Sequence, residues 1–442
     1  MFSIMISSLK FNPTKGNLEK LIRDIVLIIK FKKKKKEVFS FFLFSLLLFW
    51  FLTFPTQGAL YQITIYSIPL LCILNSECRT VFKKLLSDNK WLLIVLTVPV
   101  LLAYVNHSFS HVTAAYLFEA SETVLRYYVR FILLGLCGAV IVDYLGLNPL
   151  MLLGGVLISV SIHCGYAIFT SFSEIVTFLF SLKGVPRMSG LIGSPNEFGL
   201  LMVIGVLISL GLISKKQNLY INLLLVLVFL CCLLTTILSQ SRGAWFALFV
   251  GFVLFLLPDK HNVYRPYQRL FFVIVTILIC VCSFYQVDLL SKRMSRFTSD
   301  PARLLIWDHF FSVWLNHFWV GVYSLDGYFL RTVHGRVFHN PHSVFLDAAV
   351  RAGILGLISL GSFFVCGFKK FWASTCRINI LPFIGSVFAG GMFSWSIYGK
   401  TFYQSVMAVV LMLFLIRKSK SAVDENIPIV NLTEFFCPRH VK

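Results

Sequence analysis

The chain has 442 residues, of which 57% are hydrophobic and 13% charged, and a mean hydropathy of +0.81. So apolar a composition excludes an ordinary soluble domain and points to an integral membrane protein. The formal net charge of +21 does not argue for nucleic acid, because lysine and arginine gather in short segments between apolar runs, as in cytoplasmic membrane loops.

In chain order, residues 1–38 form a basic segment that is expected to be cytoplasmic. "LEKLIRDIVLIIKF" (18–31) suits either an amphipathic surface helix or a plain tail. No small-x-small cleavage site follows the first apolar run, so no cleavable signal peptide is expected. The lysine run Lys32–Lys36 directly precedes that run and reads as a topology signal. A membrane-crossing helix needs about 20 apolar residues, and about twelve candidates follow. They lie near 39–54, 59–74, 91–105, 127–145, 149–170, 196–213, 219–238, 243–257, 269–288, 353–368, 378–396 and 401–416. Basic residues recur in alternate loops, at Lys83 and Lys84, Lys215 and Lys216, Lys260 and Arg265, and Lys369 and Lys370. This alternation predicts that both termini, including the tail 417–442, face the cytoplasm. The fold class expected is therefore an all-α polytopic membrane protein with one large loop on the outer side, near 289–352. The eleven cysteines include no CxxC pair and read as apolar packing residues.

That loop breaks the charge pattern. It holds Lys292, Arg293, Arg296, Arg303, Arg331, Arg336 and Arg351, and with them half of the chain's histidines: His309, His317, His334, His339 and His342. "ARLLIWDHFFSVWL" (302–315) has Leu304, Leu305, Trp307, Phe311 and Trp314 at helical spacing, which predicts a helix lying at the membrane surface. A long loop with its own helices is more often functional than a connector. Arg242, in "SQSRGAWFAL", and Arg303 each read either as arginines snorkelling to headgroups or as anion ligands. Guanidinium keeps its charge and makes paired bonds to phosphate. Several outer-face arginines together therefore favour a lipid-linked phosphate. In "HNPHSVFLDAAVRAGILG" (339–356), His342 stands at the head of an apolar run. There it is either a surface histidine or a general base. Ser343 and Asn340 are helix-start candidates. Asp347 and Arg351 are spaced for a helical ion pair and imply nothing more. His339 and His342 are three apart, but Pro341 stands between them and no acidic or cysteine cluster completes a metal site. "SPNEFG" (194–199) marks a break between spans, with a helix start at Asn196.

These residues carry a resemblance to the O-antigen ligase and polymerase superfamily. "PHSVFLDAAVRAGILG" resembles its pattern of a histidine, a short polar residue, an apolar stretch, and glycines eleven and fourteen residues after the histidine. His342, Gly353 and Gly356 fit that register, whereas His339 would place Val350 at the first glycine. In family order, "RMSGLIGSPNEFGLLM" (187–202) resembles the Arg-x-x-Gly…Pro-Asn segment and "SQSRGAWFAL" the Ser-Arg helix start. "RLLIWDHFFSVWLNHFWVGV" (303–322) resembles the Arg-x-x-x-Trp loop helix. One departure is His317-Phe318, where the family usually has His-Pro.

The resemblance implies a GT-C-like glycosyltransferase of the bacterial inner membrane, with its active site facing the periplasm. Its donor would be an O-antigen glycan on undecaprenyl diphosphate, and its acceptor a sugar hydroxyl of lipid A–core oligosaccharide. No metal, cofactor or nucleic acid would take part, and membrane lipids would surround the enzyme. The catalytic role falls on His342, diphosphate binding on Arg242, Arg303 and Arg187, and at most a supporting role on His339. An O-antigen polymerase of the same superfamily is the nearest alternative. A lipid-linked sugar transporter is the next, although the polar residues lie mostly at the ends of the spans.

Overall fold

A computed structural model describes residues 36–53, 58–110, 114–147, 149–181, 187–213, 218–256, 301–325, 327–331, 337–372, 377–394 and 401–416. The expectations for residues 18–31, the span near 269–288, Lys292, Arg293, Arg296, His334, Arg336 and the tail 417–442 fall outside these residues. The described chain is helical apart from one two-stranded ribbon.

The first helix, α1 (Lys36–Thr53), is long and apolar enough to cross a membrane. Next come α2 (Ala59–Leu74) and α3 (Ser76–Asp88), which meet at a bend of 98°. The Asn75 side chain restarts the helix there by accepting from the amides of Glu77 and Cys78, at 2.9 and 3.0 Å. Then follow α4 (Lys90–Ser110), α5 (Ala114–Tyr127), a π-helical turn (Tyr128–Leu133) and α6 (Leu134–Leu145). The middle of the chain consists of α7 (Pro149–Thr170), α8 (Phe172–Ser181), a short 3-10 turn (Gly190–Ile192), α9 (Pro195–Leu212), α10 (Leu219–Ser239) and α11 (Arg242–Leu256). The last part begins with α12 (Pro301–Asn316) and the antiparallel ribbon β1 (Leu330–Arg331) and β2 (Val337–Phe338). It ends with α13 (Val344–Trp372), α14 (Arg377–Ser394) and α15 (Thr401–Leu415).

Among the described residues, six helical stretches have the length and hydropathy of membrane spans, or seven if the bent α2–α3 pair is one. Shorter apolar helices occupy Lys90–Asn106, Arg242–Leu256, Ile380–Met392 and Phe402–Leu415. The chain is thus a multi-pass membrane protein, and each expected span within the described residues falls on an apolar helix. The centre is α9, 83% of which is buried, between α7, α10, α11 and α14. Gly205 permits the close approach: a Cβ there would lie 2.5 Å from Val160 Cγ1 and 2.8 Å from Cys232 Sγ. Small residues at such crossings let helices pack tightly without help from a hydrophobic effect, which lipid does not supply.

Among the described residues, two further irregularities stand out. One is the π-helical turn, which carries the buried Arg130 with its Nη2 at 3.4 Å from Gln62 Oε1. Residues of this kind inside a span are rare and costly, on the order of 2.5–3.5 kcal/mol by insertion scales. The confinement of polarity to span ends therefore has an exception. The other is a break in α13 at Ala352 and Gly353 (φ 64°, ψ −162°). The span expected near 353–368 is the second limb of this helix. Its first limb starts at Val344 and brings the motif histidine to the helix head.

Candidate active site

The site is built on α12 and the first limb of α13. Helix α12 buries Ile306, Phe310 and Val313 in a small core with Val322, Leu325 and Val350. Leu304, Leu305, Phe311 and Leu315 stay exposed. Of the face expected to be apolar, Leu304, Leu305 and Phe311 point outward while Trp307 and Trp314 pack against that core, so a second apolar face, missed in the sequence, holds the helix to the protein. A helix apolar on two sides suits protein on one side and lipid on the other. Arg303 stands in the first turn of α12, one turn before Trp307. Trp307 Nε1 donates to the Pro341 carbonyl oxygen at 3.1 Å. This bond ties the arginine-bearing helix to the residue directly before His342.

His342 has a left-handed backbone (φ 51°) and is half-buried. Its amide donates to Asn340 Oδ1 at 3.2 Å, an Asx turn that makes the conformation tolerable for a residue with a Cβ. Its ring meets the edge of Phe338, with centroids 6.1 Å apart. Ser343 Oγ accepts from the Leu346 amide at 3.5 Å and caps α13. Pro341 does keep the two histidines off one helix: His339 lies beside the ribbon, its ring 6.0 Å from Phe329. His309 and His317 both meet Tyr328, at 3.0 Å to its carbonyl oxygen and 3.4 Å to its hydroxyl. Left-handed non-glycine residues cluster at functional sites, where surrounding structure holds them.

The motif glycines acquire physical reasons. At Gly353 a Cβ would stand 2.2 Å from the Trp319 carbonyl oxygen, and at Gly356 it would stand 2.6 Å from the Ala348 carbonyl oxygen. The break frees the carbonyls of Val350 and Arg351 to accept from the amides of Val322 and Tyr323, at 2.8 and 2.9 Å. Ile354 donates to the Phe318 carbonyl at 2.7 Å, so the loop closes with His317-Phe318 in place of His-Pro. The Asp347–Arg351 pair forms as its spacing predicts, Nε to Oδ1 at 2.9 Å, with the carboxylate fully buried. It does more than the spacing implied: Arg351 Nη1 also donates to the Tyr323 carbonyl at 2.8 Å.

Arg187 and Arg242 lie on two neighbouring turns and are both exposed. The amide of Met188 donates to the Leu238 carbonyl at 3.1 Å, which lashes the Arg187 segment to the end of α10. Ser241 Oγ accepts from the Ala244 amide at 3.3 Å, capping α11 behind Arg242. The "SPNEFG" segment begins its helix at Pro195, one residue before the expected Asn196. Its Gly199 packs against this turn, where a Cβ would lie 2.5 Å from Ser239 Oγ and 2.9 Å from Ala244 Cβ. Helix α14 joins the two parts of the site. A Cβ on Gly251 of α11 would lie 3.2 Å from its Pro382 carbonyl, and one on its Gly391 would lie 3.4 Å from Val344 of α13.

Beside Ser343 an apolar groove of about 820 Å³ opens between α12 and α13, lined by Leu304, Trp307, Phe311, Leu346, Ala349 and Leu357, with Asp308 at its edge. Its walls suit a hydrocarbon chain better than a sugar.

Comparison with known proteins bears on the same stretch. Residues 227–361 match the family model described as O-antigen ligase. The matched segment, under a third of the chain, is similar to O-antigen ligases. It contains Arg242, Arg303, His342 and both motif glycines, and Arg187 precedes it. A ComP-specific O-oligosaccharyltransferase of Acinetobacter baylyi (strain ATCC 33305 / BD413 / ADP1) is 26% identical over 195 residues. The aligned part covers 41% of this chain and 35% of that relative's length.

Proposed function

We propose that the protein is an O-antigen ligase. It transfers an O-antigen glycan from undecaprenyl diphosphate to a sugar hydroxyl of lipid A–core oligosaccharide, at the periplasmic face of the inner membrane. The observation that carries the reading is the Trp307–Pro341 hydrogen bond, which couples the Arg303 helix to His342 beside a groove of lipid character. The acceptor oxygen attacks the anomeric carbon and passes its proton to the His342 ring. The bond from that carbon to the diphosphate oxygen breaks, and the configuration inverts. Arg242, Arg303 and Arg187 bind the diphosphate and offset the charge it gains on leaving. The donor supplies its own leaving group, so the reading needs neither a nucleotide sugar nor a cofactor. His339 is left with a supporting role beside the ribbon.

Deletion of the gene tests this reading. Loss of a ligase leaves polymerised glycan on undecaprenyl diphosphate and bare core, whereas loss of a polymerase leaves core capped by one repeat unit. The similarity to a protein named an O-oligosaccharyltransferase favours one second reading, in which the acceptor hydroxyl belongs to a protein. A glycoprotein that vanishes on deletion while the core stays decorated would establish that reading instead.

A further inference from the structure

We propose that Arg351 is a positioning residue: with Asp347 it grips the backbone of Tyr323 and so fixes the Arg303 helix relative to His342. The inference rests on the role given to His342 above.

Residues 323 and 351 hold each other at both ends. The Tyr323 amide donates to the Arg351 carbonyl at 2.9 Å, and Arg351 Nη1 donates back to the Tyr323 carbonyl at 2.8 Å. Tyr323 needs such a grip, because its backbone is left-handed (φ 55°) and it is not glycine. Its side chain is 1% exposed and meets the edge of Tyr104 with centroids 5.7 Å apart, which anchors the loop to α4. Burial pushes its hydroxyl above the ordinary tyrosine range, so this anchor stays neutral at any physiological pH. The guanidinium is itself held, since its Nε donates to the carboxylate of Asp347, which has no solvent exposure. Two nitrogens on one rigid plane serve two acceptors that are 24 residues apart in the chain, which a lysine with a single nitrogen does not reproduce.

The grip sits between the two parts of the site that must stay in register. Toward the N-terminus, loop 317–323 leads directly out of α12, which carries Arg303. Toward the C-terminus, the limb bearing Asp347 and Arg351 begins behind His342. The Trp307–Pro341 bond closes the far end of the same frame. A misplacement of about 1 Å at a reacting centre can cost on the order of 10²-fold in rate, so a frame of this kind acts on turnover more than on binding.

The test uses the full chain in detergent micelles, with Arg351→Lys and Asp347→Asn. Transfer is measured with a glycan–undecaprenyl diphosphate donor, and hydrogen exchange is followed over residues 318–325. Arg351→Lys keeps the ion pair and is expected to accumulate normally. It should speed exchange at Val322 and Tyr323 at least about tenfold and lower kcat about 10- to 100-fold, with KM changed by less than about twofold. A residue needed only for folding would reduce the amount of folded protein and leave kcat per folded molecule unchanged, and that result overturns the inference. Unchanged exchange in Arg351→Lys overturns it as well. If that variant does not accumulate, Asp347→Asn, which keeps a neutral acceptor, decides by the same two readouts. Wild-type protein without transferase activity would sink the ligase reading, while the exchange data would still judge the grip.

Discussion

Replacing Gly353 with alanine probes the break that separates the limb behind His342 from the rest of α13. Gly353 has φ 64° and ψ −162°, a region essentially reserved for glycine, where a side chain costs on the order of 1–3 kcal/mol. Space is lacking too. The new Cβ would stand 2.2 Å from the Trp319 carbonyl oxygen, 2.3 Å from its carbon and 2.6 Å from the Val320 nitrogen. These are backbone atoms and cannot rotate away, so loop 318–321 must retreat by roughly 1 Å. The Ile354-to-Phe318 hydrogen bond is then stretched or lost, at about 0.5–1.5 kcal/mol. Together the destabilisation is about 2–4 kcal/mol. The matched control is Gly361→Ala on the same helix, where a Cβ meets nothing within 4 Å. That change should be neutral or stabilise by up to about 1 kcal/mol. Unfolding midpoints in mixed sodium dodecyl sulfate–detergent micelles compare the two. Gly353→Ala unfolding at the same midpoint as Gly361→Ala would refute the reasoning, since both the strain and the backbone overlap would then be absent in the protein.

Three further changes separate the parts of the site. Trp307→Phe removes the donor to the Pro341 carbonyl at about 1 kcal/mol. It should lower transfer activity several-fold while membrane levels hold, as immunoblotting of membranes alongside the transfer assay would reveal. Ser241→Ala deletes the cap of α11 and should cost about 1 kcal/mol, visible as a lower unfolding midpoint. Gly199→Val drives a branched side chain into Ser239 and Ala244, costing about 1–3 kcal/mol. By prising the Arg187 and Arg242 turns apart it should weaken donor binding, so a rise in KM for the lipid-linked donor is the readout.

Much of this arrangement is legible in the sequence, and what escaped did so for physical reasons. Apolar runs of membrane length announce spans because lipid leaves the backbone little choice but helix. The histidine-to-glycine register picks out His342, Gly353 and Gly356. It does not say that Gly353 marks a break held by a loop some thirty residues earlier, because close approach of distant backbones leaves no local pattern. The same holds for Tyr323, an unremarked residue until Arg351 is found bonded to it. The spacing of Asp347 and Arg351 predicted their ion pair, but a second acceptor supplied by a loop carbonyl has no sequence signal. On α12 the periodicity read only one apolar face. Ile306, Phe310 and Val313 show that the helix has two, which a hydrophobic pattern on a membrane surface does not distinguish. Arg130 was hidden differently: within a predicted span one arginine looks like an end effect, and only the π-helical turn around it reveals a buried polar position.

The central claim is that His342, with Arg242, Arg303 and Arg187, transfers a glycan from a polyprenyl diphosphate. The most direct measurement combines purified wild-type protein or its His342→Ala variant with glycan–undecaprenyl diphosphate and lipid A–core in micelles, following the glycolipid's shift on gels and the release of undecaprenyl diphosphate. The wild type should convert core to glycan-bearing lipid with one undecaprenyl diphosphate released per transfer, and His342→Ala should be slowed at least about 10²-fold. Transfer by His342→Ala at the wild-type rate would contradict the account.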